Sequence, residues 1–548
     1  MQTDKSWNIL NKTQIKDRKD LTEALLGNRG IKTKKETEEF LNPKLETVTV
    51  DSVGINKKQL NKAILRIKSA IKNREQIIIF GDYDVDGICG TAILWETLNS
   101  IGAKVLPYIP HRIEEGYGIS ETGIKNLKLK IKNCSLIITV DNGIVANKAV
   151  DFANGQGIDV IITDHHIQSK KVPSGLAIVH ATKLCGAGVA YLLSQKLKIN
   201  ENNHLELVAL ATVADLVPLK GANRTLLKFG LEALRKTKRI GLSELLKEAG
   251  LESKSIDVYE IGHIIAPRLN AMGRLEYAMD SLRLICTRNP KRAKELSCLL
   301  GATNKERQDL TLQMVLHAKG SVDRKKLKSL LFISHESYEQ GVIGLVAGKM
   351  VEEFYRPTIV VSIGEEFSKA SARSISGFNM IEFIRKHSSM LIDAGGHPMA
   401  AGFTVETTKL KSLQKVLENN AELLIDKDLL ARSLKIDCEL SLSTVDIRLF
   451  ETIQELEPFG MGNPQPTFLS RNVVIEDMRS VGLESKHIKF YFGDKTSGVK
   501  FSAIAFGLGN RIDELHIGGK MNIVYTIEKD NWNGNERLQL KIKDMRKI

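Results

Sequence analysis

Three short apolar runs in the first third of the chain each stop at acidic or histidine residues, and this pattern constrains the fold more than any other feature of the sequence. Ile77-Ile78-Ile79-Phe80 leads into Gly81-Asp82-Tyr83-Asp84-Val85-Asp86-Gly87. Leu136-Ile137-Ile138-Thr139-Val140 leads into Asp141-Asn142-Gly143, and Val160-Ile161-Ile162-Thr163 into Asp164-His165-His166. β-Branched runs of this length, bounded by turn residues, predict strands buried on both faces of a parallel sheet. Helical spacing in Lys58–Asn73, before the first run, and in Thr91–Leu98, after its acidic loop, completes a βαβ rhythm. Ligands of open α/β sheets sit beyond the carboxyl ends of the strands. The sequence therefore predicts at least five carboxylates and two imidazoles at one sheet edge. So many carboxylates repel one another unless cations join them.

Asp82, Asp84 and Asp86 alternate ahead of Gly87 and Gly90. Extended backbone would turn all three to one side, with the glycines permitting a tight turn. A calcium loop has similar acidic spacing, but its closing acidic residue is missing here and a strand precedes the motif. Asp215 interrupts the apolar helix predicted over His204–Val217, and a buried carboxylate needs a partner, either a metal or an arginine. Carboxylates combined with imidazole suit Mn²⁺ or Mg²⁺.

At 548 residues the chain exceeds one hydrophobic core, so three or four domains are expected. The formal charge of +14 points to an anionic partner, most simply nucleic acid. The six cysteines are far apart with no CxxC pair, which fits neither a disulfide framework nor a zinc knuckle and suits a reducing cytoplasm. The opening MQTDKSWNILNKTQ has no apolar h-region, and no apolar stretch is long enough to span a bilayer.

GDYDVDG, VDNG, TDHH and ALATVADLVPL, in this order, resemble the four motifs of the DHH phosphoesterase superfamily. APRLNAMGR (Ala266 to Arg274) is similar to the RecJ branch, the single-strand-specific 5′→3′ DNA exonucleases. EQGVIGLVAGKM, SARSISGFN and GGHPMAAGF resemble that branch's DHHA1 domain, and EPFGMGNPQPTF the start of its OB-type domain. The resemblance implies a multidomain α/β chain: an N-terminal helical arm (1–55), a DHH-type parallel-sheet catalytic domain (56–285), a long connecting helix (286–325), a DHHA1 α/β domain (326–428) and a C-terminal OB-type β-barrel (429–548).

The resemblance also assigns roles. Asp141 would bridge two Mn²⁺ or Mg²⁺ ions, with Asp86, His165 and Asp215 completing one shell and Asp84, with Asp82, the other. Asp164 would orient His165, and His166 would contact the scissile phosphate, so no protein nucleophile is required. Arg268, Asn270, Arg274, Arg373, Gly395, Gly396 and His397 are the expected substrate contacts; arginine suits phosphate, and paired glycines admit a phosphate to the backbone. An intradomain salt bridge is the alternative for Arg268 and Arg274, and a tight structural turn is the alternative for Gly395-Gly396. In the terminal barrel, Phe490, Tyr491, Phe492, Phe501 and Phe506 alternate with Lys486, Lys489 and Lys500, and about half of these rings are expected to be core. The segment joining Val179–Lys183 to Leu184-Cys185-Gly186 is shorter than the family's usual proline-rich loop.

The implied activity is metal-dependent 5′→3′ hydrolysis of single-stranded DNA to 5′-mononucleotides in recombination and repair. It would be carried out by a cytoplasmic monomer, with a single-stranded-DNA-binding protein and a helicase as family-type partners. The competing expectation is a phosphoesterase for small molecules or short oligonucleotides on the same metal core, and the barrel, length and charge speak against it.

Overall fold

The computed structural model describes residues 5–131, 133–197, 204–493, 498–530 and 537–548. The chain forms two compact units: Val48–Val217 with Leu226–Arg432, and Lys5–Thr47 with Pro218–Thr225 and Ser433–Ile548.

In the first unit, strand β1 (Gln76–Gly81) is followed by helix α1 (Val85–Ser100), β2 (Val105–Tyr108), β3 (Cys134–Val140), β4 (Asp159–Asp164) and β5 (Ala177–His180). All five strands are parallel, in the order β2-β1-β3-β4-β5. Ile77, Ile78, Ile79 and Phe80 are fully buried, as a sheet covered on both faces requires. The chain moves from β1 outward to β2 and then returns to β3 on the other side. This reversal opens a crevice at the carboxyl ends of β1 and β3, and Asp82 and Asp141 are the residues that follow those strands.

Helices α2 (Gly186–Leu197) and α3 (Leu205–Ala214) pack on α1 and are buried along most of their lengths. The sequence pattern ran the apolar helix to Val217 with Asp215 inside it. The helix instead stops at Ala214, Asp215 is its C-terminal cap, and Leu216 takes a left-handed φ of 57°. A left-handed residue just past the last turn is a common helix stop, and here it carries the Asp215 carboxylate off the end of the apolar helix. Helices α4 (Ile240–Glu248), α5 (Ala266–Leu275) and α6 (Met279–Cys286) lead to α7 (Pro290–Gly320). The charged stretch Leu282–Leu316 is thus divided between α6 and α7. Pro290 lacks an N–H and disfavours a helical residue before it, and the Asn289 side chain accepts from the Arg292 N–H to start α7.

The second sheet of this unit comprises β6 (Leu331–His335), β7 (Thr358–Ser362), β8 (Phe367–Arg373), β9 (Asp393–His397) and β10 (Ala400–Glu406), in the order β9-β10-β8-β7-β6. Only β6 and β7 are parallel. Strand β9 is an edge strand and largely exposed. Among the described residues no helix is long and apolar enough to cross a membrane.

The second unit is built on a closed five-stranded barrel, in which Phe468–Val481 pairs with both His487–Gly493 and Lys520–Asp530, and Arg537–Lys547 lies between Lys500–Ala505 and Lys520–Asp530. The segment expected as an N-terminal arm contributes Lys5–Thr47 to this unit: Ser6–Ile9 pairs in parallel with Ser433–Ile436, and Leu21, Leu25 and Phe40 share the barrel's core cluster. Phe490 and Phe492 are fully buried, Phe501 is partly buried, and Tyr491 and Phe506 are exposed. This is the alternation that a one-faced barrel strand imposes.

The EPFGMGNPQP segment is held by two buried arginines of the same unit. Arg224 donates to the carbonyls of Phe40 (2.8 Å), Leu456 (2.9 Å) and Glu457 (2.6 Å), with its guanidinium 3.8 Å above the Phe40 ring. Arg29 donates to Asn463 Oδ1 (2.6 Å) and the Pro464 carbonyl (2.6 Å), while Asn463 donates to Leu456 and Pro458. Burial, with Arg29 nearby, lowers the Arg224 guanidinium to about 10. Replacing Arg224 leaves several buried carbonyls without donors. Arg224→Met is therefore expected to destabilise this unit by roughly 3 kcal/mol, read as a lower denaturant midpoint at Trp7, Tyr491 and Tyr525 of the same unit.

Candidate metal centre

At the end of β1 the chain does not stay extended, as the alternating aspartates suggested. Val85 already begins α1, Asp84 is its N-cap, accepting from the N–H groups of Asp86 (2.9 Å) and Gly87 (3.1 Å), and Asp86 lies in the first turn. The turn keeps the carboxylates together by a different route, because an N-cap and the second helical residue both project at a helix start. A Cβ on Gly87 would stand 2.5 Å from the Asp82 carbonyl oxygen, so glycine is needed where the helix crosses the strand end. Asn270 Oδ1 accepts from the Val85 N–H at 3.0 Å, which places this expected substrate contact at the start of α1.

Asp86 accepts from the N–H groups of Gly186 (2.6 Å) and Ala187 (2.7 Å), at the start of α2. The short connection after β5 thus delivers two backbone donors to this carboxylate. A Cβ on Gly186 would fall 2.6 Å from that of Asp141, so α2 approaches the end of β3 as closely as glycine permits. Asp141 itself has φ of 62°, an uncommon conformation for a non-glycine residue. The buried Asn142 side chain donates to the Phe80 and Val140 carbonyls and accepts from Ile119, tying the ends of β1 and β3 together.

At the end of β4, His165 Nε2 lies 3.1 Å from Asp141 Oδ1, 3.6 Å from Asp215 Oδ2 and 3.7 Å from Asp86 Oδ2. Asp164 does not orient His165 through its ring. Its carboxylate accepts from the backbone N–H groups of His165, His166 and Ile144 and from the His166 ring at Nδ1, 2.8 Å. Tyr117 Oη, donating to the Asp141 carbonyl at 3.0 Å, lies 3.4 Å from His166 Nε2. On the other side the His397 ring of β9 stacks on His166 with centroids 5.7 Å apart.

Three groups of donor atoms each converge within 4.8 Å: Asp82 with Asp84 and Asp141; Asp86 with His165 and Asp215; and Asp141 with His165 and His166. Burial, followed by neighbouring carboxylates, holds Asp82 and Asp141 well above the usual carboxylate range and pushes Asp215 to about 9. Burial also raises Asp86, although His165 and two backbone donors oppose it, and burial lowers His165. Burial pulls His166 down, but the hydrogen bond to Asp164 together with the negative charges of Asp164, Asp86 and Asp84 raises it on balance; burial pushes Asp164 up, but the His166 bond and charge and the backbone donors lower it on balance.

Asp82 Oδ1, Asp141 Oδ1 and His165 Nε2 are buried without a hydrogen-bond partner. Acceptor atoms of this kind, facing one another without donors, fit divalent cations bound through oxygen and imidazole nitrogen.

Beside this cluster stand four guanidiniums. Arg274 is half-buried, and its guanidinium is lowered to about 9 by desolvation and by Arg112, Arg307 and Arg373. Arg274 donates to the Gly341 carbonyl, Arg307 to Asn304, and Arg373 to Ser371 and the Ala372 carbonyl; Arg112 lies over the Tyr83 ring. None has a carboxylate at ion-pair distance among the described residues, so the group is ready for an anion.

Arg268 is different: it pairs with Glu248 at 2.7 Å and donates to the Ile264 carbonyl. Gly395 and Gly396 lie on edge strand β9, where a Cβ at Gly396 (φ 133°) would meet the Ala400 carbonyl at 2.4 Å. Arg112, Arg307 and Tyr117 were absent from the sequence-based site. Tyr117, set between Gly116 and Gly118, carried a weak turn signal, and Arg307 none, since it sits in an evenly charged helix.

Comparison with known proteins agrees along the chain. The DHH family N-terminal domain matches residues 76–213, the DHHA1 domain 327–423 and the RecJ OB domain 436–544. The single-stranded-DNA-specific exonuclease RecJ of Bacillus subtilis is 36% identical over 538 residues, covering 96% of this chain and 67% of its own. The corresponding Haemophilus influenzae protein is 30% identical, covering 88% and 89%. The crystal structure of RecJ in complex with Mn²⁺ from Thermus thermophilus aligns with a TM-score of 0.84 at 27% identity, over 99% of this chain and 80% of that one.

Crowded buried carboxylates destabilise the metal-free protein. Asp141→Asn is accordingly expected to raise its thermal midpoint in EDTA by roughly 2–4 °C. Mn²⁺ should then stabilise the original chain far more than the variant, as measured by differential scanning fluorimetry.

Proposed function

Because the chain belongs to the RecJ family, we propose that it degrades single-stranded DNA from the 5′ end, hydrolysing phosphodiester bonds to release 5′-mononucleotides in recombination and repair. The observation that carries this reading is the shared place of Asp141: its carboxylate belongs to two of the three ligand groups and stands at the sheet's topological switch point. Asp82, Asp84 and Asp141 would hold one Mn²⁺ or Mg²⁺ ion, and Asp86, His165, Asp215 and Asp141 the other. When bound, the ions supply positive charge that activates water and stabilises the developing charge on the phosphodiester.

The protein's own groups hold and place the strand. His166, fixed by Asp164 and flanked by Tyr117, presents an imidazole whose raised proton affinity suits a bond to a non-bridging phosphate oxygen. Arg112, Arg274, Arg307 and Arg373 form the anion subsite next to Asp82 and Tyr83, and they support recognition of a phosphorylated strand terminus. His397 and the glycine-rich edge of β9 bring the second sheet close to His166, which supports selection of a single strand over a bulkier duplex. Exposed Tyr491 and Phe506, the latter with Lys541 5.6 Å from its ring, support base stacking on the barrel. Arg268 contributes through its pair with Glu248, and Asn270 by fixing the first turn of α1.

A monomeric cytoplasmic enzyme working with a single-strand-binding protein and a helicase completes the reading. The six free cysteines support the reducing compartment.

With Mn²⁺, the protein is expected to release label from 5′-labelled long single strands well before label at the 3′ end, to spare duplex DNA, and to stop in EDTA. Asp141→Ala should abolish cleavage and retain strand binding in a gel-shift assay. Preferential turnover of dinucleotides or pyrophosphate would overturn the reading.

A further inference from the structure

On a different part of the first unit lies a cavity of about 620 Å³ that the reaction does not use, walled by the end of α1, the turn before α4 and the end of α6. Its floor is an ionic network centred on Arg239, which donates to Glu96 through both terminal nitrogens (2.7 and 2.8 Å), to Glu206 (2.6 Å) and to His204 Nδ1 (2.8 Å). The network is enclosed, with the Arg239 and Glu206 side chains only 15% and 14% exposed. Glu96 and Glu206 are therefore already engaged and do not ask for a metal ion.

The mouth is charged the other way. Lys236, Lys238 and Arg288 line the cavity, all three are exposed, and none has an ion-pair or side-chain hydrogen-bond partner among the described residues. Helix α4 begins at the same place, with Arg239 as its N-cap and no side chain capping its first N–H groups. Thr237 and Thr287 also line the cavity; their oxygens accept from the backbone N–H groups of Arg239 and Asn289, which leaves each hydroxyl hydrogen to donate. Ala233, Ile240 and Ile285 supply an apolar wall. Counting the lining charges, four cations face two carboxylates, so the space favours an anion.

We propose that this cavity binds a nucleoside 5′-monophosphate. The volume lies in the range of small-molecule sites. Lys236, Lys238, Arg288 and the start of α4 would take the phosphate, the apolar wall would carry the base, and the engaged carboxylates on the floor would accept from sugar hydroxyl or base amino hydrogens. The same chemical class is released by the proposed hydrolysis, while the cavity's shape and charge favour it independently of that reaction.

The test is calorimetric titration of the full chain with deoxyadenosine 5′-monophosphate in EDTA, compared with inorganic phosphate and with deoxyadenosine. The double variant Lys236→Glu/Arg288→Glu changes only exposed side chains and should fold normally, as checked by its thermal midpoint. It is expected to lose at least about tenfold in affinity, the effect of removing two charge-assisted contacts, while Arg373→Ala, in the separate arginine cluster, binds the nucleotide at this site as before. Either free component should bind more weakly than the intact nucleotide. Equal affinity of the double variant and the original chain would overturn the proposal by placing the nucleotide elsewhere. Inorganic phosphate binding as tightly as the nucleotide would overturn it by leaving only a simple anion site.

Discussion

The repulsion among Asp82, Asp84, Asp86, Asp141 and Asp215 is the constraint on which the first unit is organised. Buried acceptor atoms in such proximity are costly unless cations offset them, and the surrounding fold is arranged to keep them close. Asn142 ties β1 to β3, Gly186 lets α2 reach Asp141, and Gly87 lets α1 cross the end of β1. The left-handed backbone at Asp141 and at Leu216, beside Asp215, falls at this same cluster. Strained positions are retained where surrounding structure over-determines them, and both of these adjoin carboxylates that share ligand groups with His165 or Asp84.

Acid and base character is then divided by environment. His165 is pulled down by burial and faces three carboxylates, which suits the neutral imidazole ligand proposed for this position. His166, its neighbour, is lowered by burial but raised on balance by its bond to Asp164 and the charges of Asp164, Asp86 and Asp84, so two adjacent histidines with the same intrinsic chemistry are set apart. Asp164 is stabilised as the anion by that bond and by backbone donors, unlike the carboxylates across the crevice. The arginine group lacks acidic partners at ion-pair distance among the described residues, which suits the anion-binding role proposed for it.

Much of this was legible in the sequence because apolar runs ending in acid are local signals. The three strand ends and the parallel sheet follow from residues that are contiguous in the chain. Two features of local geometry were not legible. The Asp82-Asp84-Asp86 alternation suggested an extended loop, yet Asp84 caps α1 and Asp86 lies within it, because a strand end feeding directly into a helix leaves no room for such a loop. Asp215 looked like a charge inside a helix, whereas a left-handed residue ends that helix one position later. Arg112 and Arg307 were hidden because their meaning lies in being near Arg274 and Arg373, a tertiary fact with no periodicity to announce it. Conversely, Arg268 shares a motif with Arg274 but turns to Glu248, so motif membership alone did not separate a guanidinium without an ion-pair partner from one held in a salt bridge.

The account stands on Asp141 serving two cations at once, and counting bound Mn²⁺ tests it directly. Equilibrium dialysis with metal analysis should find two ions per original chain, one in Asp215→Asn, and weakened binding of both in Asp141→Asn. A single ion in the original chain, or two tightly held ions in Asp141→Asn, would contradict it.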